Sequence, residues 1–153
     1  MHKNAIRFRE TLLSLGESGA VQETAETAHT AADAAATLGV PVAAIVKSLV
    51  FRVDGEPILL LVSGVNRVDT DLVAEYLGAP LEKADAALVK SATGYSIGGV
   101  PPLGHPAPLR TLIDEDLLEL DELWAAAGMP NAVFPILPAR LVALTAAEIT
   151  RIH

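Results

Sequence analysis

Residues 43–64 read AAIVKSLVFRVDGEPILLLVSG, and the fold turns on how this stretch is read. Its first half is rich in β-branched residues, its second half resumes as PILLLVSG, and DGEP lies between. Two apolar runs around an Asp-Gly pair predict a hairpin with Asp54-Gly55 as the turn, because these residues tolerate the left-handed backbone that tight turns require. Lys47 is the one charge in the run 43–51. An ammonium there is costly to bury unless it meets a partner. Two readings stand. Lys47 is a cation that positions a phosphate or carboxylate or stabilises developing negative charge, or it is a gatekeeper on an edge strand that blocks aggregation. Ser48 adjoins it, and neighbours on a strand face opposite sides, which argues against a Ser–Lys dyad.

Outward from the hairpin, helices and strands are interspersed. Toward the N-terminus, AIRFRETLLSL (5–15) has Ile6, Phe8, Leu12 and Leu13 at roughly helical spacing, stopped by Gly16. VQET (21–24) predicts a short strand, and Thr30 an N-cap for an alanine-rich helix that Gly39 ends. Toward the C-terminus, TDLVAEYLG is a helix capped by Asp69 or Thr70 and stopped by Gly78, and 84–94 is a second short helix. LRTLID predicts a strand. DEDLLELDELWAAAG is ambiguous: propensity favours a helix, while Glu122–Ala127 can equally form a strand. NAVFPIL predicts a strand placed at an edge by Pro135, and PARLVALT a helix with Pro138 in its first turn. Such interspersion, with strands joined by hairpins, indicates a mixed α+β chain, read as one domain over 1–153.

Composition removes several functions. No cysteine is present, so disulfides, thiolate metal sites and a cysteine nucleophile are excluded. A net charge of −8 argues against coating nucleic acid by bulk charge. The acids concentrate late: residues 111–153 hold seven acids and two bases, whereas 40–110 hold seven and six, so a local phosphate contact remains open there. No apolar run is long enough to cross a bilayer, and MHKNAIRFRE lacks a long apolar segment and a cleavage site, so a cytoplasmic protein is expected.

SIGGVPPLGH (96–105) packs three glycines and two prolines into ten residues. Glycine lets a backbone approach a ligand, and proline holds the loop rigid. The loop is either a plain connector or a frame presenting fixed N–H groups to a negative oxygen. It is neither a GxGxxG fingerprint nor a P-loop. His2, His29, His105 and His153 are scattered, and no metal ligand set is expected. Residues 114–122 read as a solvated acidic face in preference to a catalytic carboxylate pair. Asn66-Arg67 can bind a phosphate or cap the following helix, and the cap is favoured.

Together, IVKSLVF, SATGYSIGGVPPLG and LRTLID, in that order, resemble the YbaK/ProX family of trans-editing aminoacyl-tRNA deacylases, related to the editing domain of bacterial prolyl-tRNA synthetases. The resemblance runs from about His29 to Thr145. It implies a mixed α/β fold with a curved, barrel-like mixed β-sheet flanked by helices. It implies hydrolysis of the ester joining a wrong amino acid to the terminal ribose of a tRNA, such as tRNA(Pro) or a small-amino-acid tRNA, with no cofactor. Lys47 matches the family lysine, and Gly98 and Pro102 match the ends of its GxxxP motif. Lys47, Gly98 and Gly99 are the expected catalytic residues, and Pro102, Asn131, His29 and Asn66 the expected substrate contacts. The implied partners are the 3′ acceptor end of aminoacyl-tRNA and a synthetase or elongation factor, with no membrane. A non-catalytic binding module of the same fold, and a small-molecule phosphate binder using the loop, are the alternatives. Relatives often carry a serine followed by a Gly-Lys-Arg-Gly turn. Here Ala126 stands at the serine position and Met129-Pro130-Asn131 replaces the basic turn. The resemblance also favours a strand at Leu123–Ala127.

Overall fold

The computed structural model describes residues 1–24 and 30–153. The hairpin at its centre is β2 (Ile45–Val53) and β3 (Glu56–Ser63), paired from Val46–Ser63 to Val53–Glu56. Asp54 and Gly55 have φ of 50° and 79°, the left-handed pair that a two-residue turn between right-twisted strands requires. The remaining strands are β1 (Gln22–Glu23), β4 (Glu82–Lys83), β5 (Arg110–Asp114), β6 (Leu123–Ala126), β7 (Ala132–Ile136) and β8 (Glu148–Thr150). They form one sheet in the order β1-β7-β6-β2-β3-β5-β8, with β4 added beside β2. The β2–β6, β3–β5 and β5–β8 pairs are parallel and the others antiparallel, so the expected mixed α/β class is observed.

Five helices surround the sheet among the described residues: α1 (Lys3–Ser14), α2 (Ala31–Leu38), α3 (Thr70–Leu77), α4 (Ala86–Thr93) and α5 (Pro138–Thr145). Their boundaries follow local chemistry. In α2, the Thr30 hydroxyl accepts from the Asp33 N–H while the Asp33 carboxylate accepts from the Thr30 N–H, a reciprocal cap. Asp69 and Asp85 cap α3 and α4, and Gly39, Gly78 and Gly94 end three helices in the left-handed region. None of these helices is long and apolar enough to cross a membrane.

Alternation along β2 and β3 sorts the core to the two sheet faces. Leu59 and Leu61 join Phe8, Leu12, Tyr95, Leu123 and Phe134 on one side. Ile58, Leu60 and Val62 join Val73, Leu112 and Ile152 on the other. The ambiguous segment 114–128 resolves into a 3-10 turn, Glu115–Glu119, followed by β6. Pairing with β2 and β7 overrides the helical propensity of its alanines. Pro135 does not lie on a simple edge strand, because β7 has β6 on one side and β1 on the other. Pairing with β1 ends at Val133, however, so Pro135 has no β1 partner. In α1 the buried face is Ala5, Phe8 and Leu12, while Leu13 is 55% exposed.

Candidate active site

Between Val46, the last β2 residue paired with β6, and Phe51, the first paired with β4, the outer edge of β2 has no strand partner among the described residues. A cavity of about 510 Å³ opens at this gap. Its walls are largely apolar, with Ala84, Val89, Ile97, Trp124, Ala125 and Pro130 among them, and Lys47 is its one charged residue among the described residues. Lys47 pairs across the hairpin with Val62 and Ser48 with Leu61, residues of opposite core faces, so the two side chains diverge as alternation predicts. Both still border the cavity, because it wraps the open edge. The Ser48 hydroxyl oxygen is buried without a hydrogen-bond partner among the described residues.

Lys47 is half-buried, and its Nζ donates to the main-chain carbonyl of Asn66. Burial first, then the charge of Arg67, pull its pKa below the ordinary lysine value of 10.5, while Asp114 pulls it back up. Nothing in the sequence signalled this lowering. The Asn66 loop is itself held in place. Ser63 Oγ donates to Ala43 O at 2.8 Å, the Gly64 N–H to Ile45 O at 2.8 Å, and the Asn66 N–H to Ser63 O at 2.9 Å.

The Gly/Pro loop reaches the cavity from the other side. Ser96 O accepts from the Gly99 N–H at 3.0 Å, and Gly98 has φ of 90°. That is a type II turn, which requires a residue at ease with positive φ in its third position. Gly98 lines the cavity, and its own N–H has no hydrogen bond among the described residues. His105 Nε2 lies 2.8 Å from Pro101 O and braces the loop from within, and burial pushes the His105 pKa below 6.5.

The expected site residues therefore separate. Lys47 and Gly98 border one cavity. Gly99 does not: its N–H is engaged by Ser96, and a Cβ there would lie 2.9 Å from Gly128 O, so it is a close-packing position against the β6–β7 turn. Pro102 is buried away from the cavity wall. Asn131 lies beside a neighbouring cavity of about 500 Å³, with His2, Glu23 and Met129, and its carbonyl accepts from the Thr24 N–H at 2.7 Å. His29 lies outside the described residues. Asn66 is not the cap of α3, because Asp69 is. Its side-chain amide instead donates to Asp114 Oδ2 at 2.8 Å and to Asp116 Oδ2 at 2.9 Å.

The acidic segment also differs from expectation. Glu115, Glu119, Asp121 and Glu122 are solvated, but Asp114 is completely buried and Asp116 half-buried. His153 Nδ1 lies 3.5 Å from Asp114 Oδ1 and Nε2 lies 3.2 Å from Asp116 Oδ2. These three residues place ligand atoms within 4.8 Å of one another, with the Asn66 amide already donating to two of the carboxylate oxygens. Sequence spacing could not reveal the group, since its members lie at 66, 114, 116 and 153. The one local hint was the end of LRTLID, where an acid closes an apolar strand.

Fold and cavity together set one lysine and a rigid glycine-proline turn against a largely apolar wall. Comparison with known proteins is specific. The aminoacyl-tRNA editing domain matches residues 25–144, and the chain belongs to that family, as Lys47 and the GxxxP loop had led us to expect. The uncharacterized protein YwhH of Bacillus subtilis is 30% identical over 122 residues, 79% of this chain and 78% of YwhH. A proline–tRNA ligase of Desulfovibrio desulfuricans is 37% identical over 83 residues, 54% of this chain but 14% of the ligase. A solved structure described as a candidate trans-editing enzyme for prolyl-tRNA synthetase superposes with a TM-score of 0.95 at 41% identity, covering 99% of this chain and 98% of that one.

Proposed function

We propose that this protein is a trans-editing hydrolase that cleaves the ester between a mischarged amino acid and the terminal ribose of a tRNA. The observation that carries the reading is the meeting of Lys47 and Gly98 on one largely apolar cavity in an editing-domain chain. An aminoacyl ester is already activated, so orientation and charge stabilisation suffice and no covalent nucleophile on the protein is needed. In this reading the amino-acid side chain enters among Trp124, Ala125, Ile97 and Pro130. Water attacks the ester carbonyl, with the adjacent ribose hydroxyl relaying its proton; the bond between the acyl carbon and the ribose oxygen then breaks, and that oxygen leaves as a hydroxyl. The Gly98 N–H donates to the oxyanion that forms, and the Lys47 ammonium holds the terminal nucleotide against the open edge of β2. The apolar wall suits a small uncharged side chain, such as that of alanine, serine, cysteine or proline. An elongation factor or a synthetase, prolyl-tRNA synthetase foremost, would supply the tRNA contacts that an acidic chain lacks.

The test is deacylation of Ala-, Ser-, Cys-, Thr- and Pro-charged tRNAs, on tRNA(Pro) and on the cognate tRNAs, with wild type beside Lys47→Ala. Rapid loss of one ester with wild type alone, by a factor of roughly a hundred or more over the variant, is expected. Protection of an ester without turnover would instead identify a binding module of the same fold.

A further inference from the structure

We infer that Asp114 is a positioning residue for Lys47, acting through Asn66: the buried carboxylate fixes the Asn66 side chain, and the Asn66 carbonyl thereby holds the Lys47 ammonium at the mouth of the cavity. The inference rests on the proposed role of Lys47 in ester cleavage.

Topology assembles the group. β3 and β5 are parallel neighbours, with Leu61 opposite Ile113, so their carboxyl ends emerge side by side. Asn66 follows the end of β3 and Asp114 closes β5. β2 runs antiparallel to β3, which brings Lys47, near its start, to the same end of the sheet. β8 lies beside β5 with Thr150 opposite Asp114, and this delivers His153 to the outer side of the carboxylates.

Geometry then links the members. Asp114 is completely buried, and a buried carboxylate must be hydrogen-bonded to persist. Its Oδ2 accepts from the Asn66 amide at 2.8 Å, and its Oδ1 accepts from the Asp116 N–H at 3.2 Å. Asp116 Oδ2 takes the second Asn66 contact at 2.9 Å. A side chain with its amide donated to two carboxylates has little freedom to rotate. Its main-chain carbonyl is correspondingly fixed, and that carbonyl is the acceptor for Lys47 Nζ. Asp114 also acts on Lys47 through space, opposing the lowering of its pKa by burial and Arg67. None of these groups except Lys47 lines the cavity, so the network supports the site from behind.

The experiment compares wild type, Asp114→Asn, Asn66→Ala and the double variant, each checked for folding by near-ultraviolet circular dichroism. Two readouts are taken. One is the single-turnover rate on the ester that wild type cleaves. The other is the Lys47 ammonium signal in nitrogen-15 spectra, assigned with Lys47→Arg and visible when a hydrogen bond slows proton exchange. Asn66→Ala keeps the main-chain carbonyl and changes no charge, so it isolates positioning from electrostatics. Both single variants are expected to lose or broaden the ammonium signal and to slow cleavage about ten- to a hundredfold, the scale of a misplaced catalytic group. The double variant should be no slower than the worse single variant, as for residues acting through one link. Folded variants with the wild-type ammonium signal, or losses that multiply in the double variant, would overturn the inference. Should wild type cleave no ester, the proposed activity falls, and the ammonium signal alone decides whether the network holds Lys47. If Asp114→Asn does not fold, Asn66→Ala decides.

Discussion

Gly98 and Gly99 are neighbours under different constraints. At Gly98 the constraint is the backbone, with φ of 90° and open space up to Pro130 Cγ at 3.6 Å. At Gly99 it is contact, since a Cβ would sit 2.9 Å from both Gly128 O and Met129 Cα. Gly98→Ala should therefore cost about 1 kcal/mol of stability and slow ester cleavage, while Gly99→Ala should cost roughly 1–3 kcal/mol through displaced backbone. Thermal unfolding beside deacylation rates separates the two. His105 gives the loop a pH dependence. Its folded pKa lies below 6.5, so the unfolded chain takes up the proton first as pH falls. The stability it contributes is complete above 6.5, and is lost as pH falls from there to the lowered folded value. Urea unfolding of wild type and His105→Asn at stepped pH should show this slope in wild type alone, and equal slopes would remove His105 from the effect.

At the scale of elements, the turn after β3 carries more than its sequence, SGVN, suggests. A Cβ on Gly64 would fall 2.5 Å from Val42 O and 3.0 Å from Ala31 Cβ. The turn is thus pressed onto the 3-10 segment Val42–Ala44 that leads into β2. Gly64→Ala should push these apart, lowering the unfolding midpoint by several degrees for roughly 1–3 kcal/mol. Because Asn66 lies two residues on, the same variant should lower the cleavage rate even where the protein is folded. A folded Gly64→Ala protein with a wild-type rate would show that the turn does not set the Lys47 partner. Caps and stops at this scale were legible because each is a local contract: Thr30 with Asp33, Asp54 with Gly55, and Gly78 after Leu77. β6 was not, since its strand state depends on β2 and β7.

For the whole molecule, the family match begins at residue 25, yet the core does not. Ala5, Phe8 and Leu12 of α1 are at most 1% exposed. Phe8 meets Phe134 at a ring-centroid distance of 5.0 Å and Tyr95 edge-on at 6.4 Å. Arg7 lies 4.3 Å from the Tyr95 ring centroid and donates to Gly94 O at 2.9 Å, clamping the lead-in to the Gly/Pro loop. Burying Phe8 and Leu12 alone contributes about 3–6 kcal/mol, a large part of the 5–15 kcal/mol typical of a protein this size. A chain begun at residue 20 should lose cooperative urea unfolding and its near-ultraviolet spectrum. A sharp transition in the shortened chain would show that the sheet suffices without α1.

Sequence by itself determined the parts whose causes lie within a few residues. The hairpin, the helix ends and the rigidity of 96–105 follow from turn chemistry and proline. Lys47 was singled out by a lone charge in an apolar strand, and its motif with Gly98 identified the family. Tertiary structure alone decided what Lys47 touches and where the cavity lies. The open edge of β2 exists because β6 and β4 stop short of each other. The Asn66–Asp114–Asp116–His153 group exists because strands distant in the chain end side by side. Hydrogen bonding and burial act through space, so Asp114 reads in the sequence as one more acid in an acidic run. It becomes a buried anchor only when the sheet folds around it.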